Sequence, residues 1–147
     1  MIRFLNSLRV LLRRSLLMLL LAPMAMHAMA EPAPIDIEMS LKQVSEHVYY
    51  VQGMAGIATD NKGFISNAVA IVTDQGVVLV DALGSPSLAQ RFLGEIRNVT
   101  EEPIKAVIVT HYHADHIYGL QVFDDLGAEI IAPGGFQDYL DSPAADN

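Results

Sequence analysis

The chain reads as an α/β protein, and three observations predict that class. Short β-branched runs alternate with amphipathic segments in the order β, β, β, α, β, α, β, α. One run, "AVIVT" from Ala106 to Thr110, is wholly apolar, as suits a central buried strand. The segment just before it, "SPSLAQRFLGEIRNV", places Leu88, Phe92, Leu93 and Ile96 on one helical face.

Taken in order, the chain opens with Arg3, Arg9, Arg13 and Arg14, then the apolar run Leu16 to Ala22, then Pro23. Ala28 and Ala30 put small residues at the two positions a signal peptidase reads, so residues 1–30 are expected to be a secretory signal cut after Ala30. The apolar run is short for a membrane span of about 20 residues, and no stable membrane anchor is expected after cleavage. Arg13-Arg14 leaves twin-arginine export open beside the general secretion route, which the apolar h-region favours. Glu31 to Glu38, with Pro32 and Pro34, reads as an extended entry. "HVYYVQG", His47 to Gly53, is β-branched and aromatic, hence a strand. Met54 to Ser66, with Gly56, Gly63 and Asp60-Asn61, is either a long loop covering a binding site or a plain connection between strands.

"NAVAIVT" (Asn67–Thr73) and "GVVLVDA" (Gly76–Ala82) flank Asp74-Gln75 and read as a β-hairpin. Ser85 caps the following helix and Pro86 sits at its first position. After Ala106–Thr110 and the stretch that follows it, "IYGLQVFDDLG" reads as helical up to Gly127. "AEIIA" is a further strand, and "GFQDYLD" begins another helix.

Charge and cysteine usage narrow the partners. All 17 Asp and Glu lie after residue 30, where only five of the nine Lys and Arg remain, so residues 31–147 carry a net charge of −12. Such a surface argues against nucleic acid and anionic membranes, and it favours the approach of divalent cations. With no cysteine, neither a disulfide framework nor a thiolate metal site can form. A heme or copper site is disfavoured on the same ground. Any metal must be held by imidazole and carboxylate.

Those groups are concentrated in "VTHYHADHIYG", Val109 to Gly119, which holds His111, His113, Asp115 and His116 within six residues. His47 reads as a strand-start residue, and His27 lies in the leader. His111 and His113 are two apart at a strand end, and in extended backbone they point to the same side. Two imidazoles can there reach one cation at about 2.0–2.1 Å. Asp115 and His116 follow the turn at the small Ala114, so they leave in another direction. They can hold a second cation at the roughly 3.5–4 Å spacing of two-metal hydrolases. Asp81 ends the strand before the helix, and a βαβ crossover would bring it to the edge of the sheet where His111 follows its own strand. It is either a partner that orients a ligand histidine or an ordinary turn aspartate. Tyr112 and Tyr118 flank the ligands and either line a pocket or pack.

"THYHADHIYG" resembles the H-x-H-x-D-H signature of the metallo-β-lactamase superfamily, including the glycine three residues after its last histidine, and "GVVLVDAL" resembles that family's strand ending in aspartate. The resemblance covers about residues 41–140. It implies the N-terminal half of an αββα sandwich, a mixed sheet with flanking helices, holding one or two zinc ions. By matching position, His111 and His113 would bind the first ion and Asp115 and His116 the second. Asp115 would also orient the bridging water or accept its proton. The family completes its site with a later histidine, a bridging aspartate and a last histidine. No histidine follows His116 here, so residues 31–147 are expected to be the family's domain without its C-terminal half, through natural truncation or a partial sequence.

The expected function is zinc-dependent hydrolysis in the periplasm or outside the cell, with a metal-activated water attacking a small-molecule β-lactam, ester, thioester or lactone. The alternative is a noncatalytic periplasmic metal-binding protein or an inactive truncated fragment. The leader gives the first test: the exported protein should begin at Glu31, read by N-terminal sequencing of a periplasmic fraction, and residues 1–30 still attached would count against export.

Overall fold

The apolar runs pair in the order in which the chain presents them. The computed structural model describes residues 32–57 and 59–135. Among the described residues six strands make one sheet in sequential order: β1 (Lys42–Ser45), β2 (Val48–Val51), β3 (Ala68–Thr73), β4 (Gly76–Val80), β5 (Ile104–Ile108) and β6 (Glu129–Ile131). The leader and the helix expected from "GFQDYLD" lie outside the described residues, save for its first glycine. Among the described residues no helix is long and apolar enough to cross a membrane.

The hairpin forms as the sequence suggests. β3 and β4 pair antiparallel from Val69↔Val80 to Thr73↔Gly76, and the Thr73 hydroxyl closes the turn by donating to the Gly76 carbonyl at 2.7 Å. β1 has no counterpart in the hydrophobic pattern. Its four residues are all exposed, and it is an edge strand, antiparallel to β2, with a register shift between Gln43 and Ser45. Backbone pairing alone defines such a strand, so it needs no apolar alternation.

The connection from β4 to β5 runs through helix α1 (Pro86–Arg97), and the two strands are parallel. Ser85 caps the helix: its hydroxyl oxygen accepts from the Leu88 N–H at 3.2 Å, satisfying a donor the first turn would otherwise leave free. Leu88, Ala89, Phe92 and Ile96 are fully buried in one core with Val77, Leu79 and Val107. Each large side chain of this set contributes roughly 1.5–3 kcal/mol on burial. The Arg97 guanidinium donates to the Glu102 carbonyl at 2.7 Å, holding the return to β5.

β5 begins two residues earlier than the apolar run "AVIVT" suggests, because Ile104 pairs with Val77 directly after Pro103. It is central in position but not buried on both faces. Register places Val69, Val80, Ile108 and Ile131 on the face opposite Leu79 and Val107. Ile108 and Ile131 there are 38% and 44% exposed. After β5 the single helix expected up to Gly127 is instead two short ones, α2 (Ala114–Ile117) and α3 (Leu120–Asp124). Gly119 divides them, and its own N–H donates to the Leu83 carbonyl at 3.1 Å. Gly127, at φ +79°, turns the chain out of α3 toward β6. Phe123 of α3 meets Phe92 of α1 edge to face, with ring centroids 6.5 Å apart.

The Gly119 junction is tight enough to test. A Cβ there would lie 2.0 Å from the Ala82 carbonyl oxygen and 2.7 Å from the Ala89 Cβ, whereas a Cβ on Gly94, within α1, meets nothing inside 4 Å. Gly119→Ala should therefore destabilise by about 1–3 kcal/mol through overpacking. Gly94→Ala should stabilise by about 0.5–1 kcal/mol by helix propensity. Urea unfolding of the full-length variants, side by side, gives both signs.

Candidate metal centre

The carboxyl ends of β4 and β5 lie side by side, tied by the Asp81 N–H donating to the Ile108 carbonyl at 2.9 Å. From that edge the chain leaves β4 through a strained turn. Asp81 sits at φ +63° and Leu83 at φ +65°, the left-handed region that a bulky residue such as leucine rarely enters. Residues after the histidine stretch hold this turn in place. The Ala82 N–H donates to the His116 carbonyl at 2.8 Å, and Leu83 accepts from Gly119 as noted above. Strain held by surrounding contacts gathers at functional sites.

Asp81 is 5% exposed, and its carboxylate points beneath the histidines rather than into solvent. Oδ1 accepts from the Thr110 N–H at 2.8 Å and from the Thr110 hydroxyl at 2.9 Å. Oδ2 lies 2.8 Å from the same hydroxyl and 2.7 Å from His116 Nδ1. Thr110 Oγ1 in turn lies 2.9 Å from His111 Nδ1.

The four residues of the motif come together as two pairs. His111 Nε2 lies 3.1 Å from His113 Nδ1, and His116 Nε2 lies 3.3 Å from Asp115 Oδ2. The pairs adjoin, with the His111 and His116 rings 4.1 Å apart at their centroids. The local backbone explains the split. His113 is extended, at φ −64° and ψ 141°, and sits at the N-cap position of α2, so Asp115 and His116 leave from the first helical turn while His111 and His113 belong to the extended segment. Among the described residues no three His, Asp or Glu side chains are placed to hold one metal ion. Each pair thus brings two nitrogen or carboxylate donors together.

The loop from Met54 to Ser66 is stitched to itself and to α2. Met54 N–H donates to the Phe64 carbonyl at 2.8 Å. The buried Asn61 side chain donates to the Met54 carbonyl at 3.0 Å and accepts from the Gly63 N–H at 3.1 Å. Phe64 is buried, while Met54, Ile57 and Ile65 are exposed. At the loop's end the Ser66 hydroxyl donates to the Asp115 carbonyl. Tyr112 and Tyr118 are both about half exposed. Tyr112 meets His113 edge-on at 5.1 Å. With Thr110, His111, Pro133 and Gly135 it lines an open groove of about 360 Å³, of which Tyr118 is no part.

Two contributors escape a reading by motif. Thr110 immediately precedes His111, but a threonine closing a β-branched run signals only a strand. Ser66 carries no signal beyond its place at the end of the loop.

Comparison with known proteins bears on the family and the fold. The model of the metallo-beta-lactamase superfamily matches residues 61–134, which takes in the hairpin, Asp81, α1 and the whole histidine stretch. The linear primary-alkylsulfatase of Pseudomonas sp. (strain ATCC 19151) is 32% identical over 77 residues, 52% of this chain and 14% of the relative. Metallo-beta-lactamase IND-1 of Chryseobacterium indologenes is 29% identical over 94 residues, 64% of this chain and 38% of the relative. Among solved structures, a metallo-beta-lactamase from Pontibacter korlensis superposes with a TM-score of 0.61 at 18% identity, over 75% of this chain and 48% of its own. The chain spans less than half the length of each of these proteins. On the family match and the shared fold, the chain belongs to the metallo-β-lactamase superfamily.

Proposed function

We propose that this chain carries half of the zinc centre of an exported hydrolase. The observation that carries the reading is the pairing of donors: His111 Nε2 with His113 Nδ1, and His116 Nε2 with Asp115 Oδ2. Nitrogen and carboxylate donors without any thiolate suit zinc, and the first pair would hold one ion and the second its neighbour. Zinc bound there supplies Lewis acidity and brings the pKa of a water to about 7.

The chain's own residues do the remaining work. Asp115, part exposed beside His116, orients the attacking water and accepts its proton. Asp81 fixes the ring of His116 from beneath through the 2.7 Å contact at Nδ1, as carboxylates behind ligand histidines do. Tyr112 and the groove beside His111 receive part of a small-molecule substrate. That substrate belongs to the class of β-lactams, esters, thioesters and lactones. The sulfatase named among the relatives adds alkyl sulfates to the panel worth testing. With 17 acidic and five basic residues after position 30, the mature chain is no partner for nucleic acid. Its leader directs it to the periplasm or the medium.

The two pairs should fail differently in the full-length protein. His111→Ala removes a neutral nitrogen donor and should abolish most zinc at the first site. Asp115→Asn keeps the shape but removes the charge, so the second site should weaken and turnover should fall about 10²–10⁴-fold, with melting temperature little changed. Zinc content by mass spectrometry, melting temperature and hydrolysis of β-lactams, lactones, thioesters and alkyl sulfates test both together. Unchanged zinc stoichiometry and rate in both variants would overturn the dinuclear reading. Zinc bound without turnover on any substrate would favour a noncatalytic metal-binding protein.

A further inference from the structure

We infer that Thr110 is a positioning residue: its hydroxyl, held by Asp81, sets which ring nitrogen carries hydrogen in His111. The inference rests on the metal reading above and follows from counting donors. The Asp81 carboxylate can only accept. It accepts the Thr110 N–H, the Thr110 hydroxyl and His116 Nδ1. The hydroxyl has a single proton, and that proton is directed at Asp81. Toward His111 Nδ1, 2.9 Å away, the same oxygen can then only accept, so His111 carries its hydrogen on Nδ1. At Oδ2 the same logic puts a hydrogen on Nδ1 of His116.

His111 is thereby left with Nε2 as its lone-pair nitrogen. That atom faces the other donor of its pair, His113 Nδ1, while His116 Nε2 faces a second carboxylate, Asp115 Oδ2. One buried carboxylate thus serves both pairs, reaching His116 directly and His111 through the threonine hydroxyl. The roles are separable. Removing the hydroxyl strands His111 Nδ1 but leaves the Asp81–His116 contact and the Thr110 N–H to Oδ1 bond intact. Valine has the shape of threonine without the hydroxyl, and serine has the hydroxyl without the methyl.

The test uses full-length protein with ¹⁵N-labelled histidine, together with titration by Zn²⁺ alone. Without added metal, long-range ¹H–¹⁵N spectra should show His111 in the Nδ1–H form and a hydrogen on Nδ1 of His116. In Thr110→Val, His111 should shift toward the Nε2–H form while His116 stays. Zn²⁺ affinity of the site that His113→Ala also weakens should fall about 10–100-fold. Thr110→Ser should restore both readouts. Wild-type His111 in the Nε2–H form would overturn the inference. So would Thr110→Val binding Zn²⁺ as tightly as wild type, or Thr110→Ser binding it as weakly as Thr110→Val. If Thr110→Val fails to fold, the wild-type spectrum and the serine variant still decide. Wild-type protein that binds no Zn²⁺ would overturn the metal reading and this inference together, whereas unchanged affinity in Thr110→Val would overturn this inference alone.

Discussion

A carboxylate taken out of water must find its donors nearby, and Asp81 finds them 29 and 35 residues further along the chain. The histidine edge of this molecule is arranged around that requirement. Oδ1 can reach the Thr110 amide only if β5 ends beside β4, which the parallel register from Val78↔Ala106 to Val80↔Ile108 provides. Oδ2 can reach His116 only if the chain turns back after His113, which the short helix α2 provides. Leaving those donors buried without a partner would cost about 1–3 kcal/mol each. The contact therefore helps to select the turn, as well as resulting from it.

The same requirement accounts for the unusual backbone beneath the histidines. To point its side chain under the edge rather than along it, Asp81 adopts φ +63°, and Leu83 follows at φ +65° with its side chain fully buried. Residues in such regions cost on the order of 1–3 kcal/mol each and persist only where neighbours hold them. Here the neighbours are the His116 carbonyl and the Gly119 amide. A glycine three residues after the last histidine is thus a matter of clearance, since a side chain would meet the Ala82 carbonyl.

Much of this was legible in the sequence, for identifiable reasons. The hairpin, the Ser85-capped helix and the parallel crossover follow from apolar period, turn residues and cap chemistry, all of which are local. The grouping of His111 with His113 and of Asp115 with His116 follows from a strand end and a turn, also local. Other features were not legible. β1 is held by backbone bonds and leaves no mark in its exposed residues. β5 starts at Ile104 because of its pairing with Val77, which a run of apolar letters does not report. Thr110 has its place because of Asp81, 29 positions away, and a threonine ending a strand gives no hint of such a partner.

The closeness of the four donors along the chain has a thermodynamic side. A metal stabilises a fold only by the difference between its affinities for the folded and unfolded chains. His111, His113, Asp115 and His116 span six residues, so an unfolded chain keeps them near one another and retains some affinity for a cation. What folding adds is orientation, through a carboxylate and a hydroxyl brought from β4 and the end of β5. Under the proposed zinc reading, ion binding and folding are therefore only partly linked. On that reading the histidine stretch of the unfolded chain keeps some hold on an ion, and the closed sheet fixes how that ion is presented.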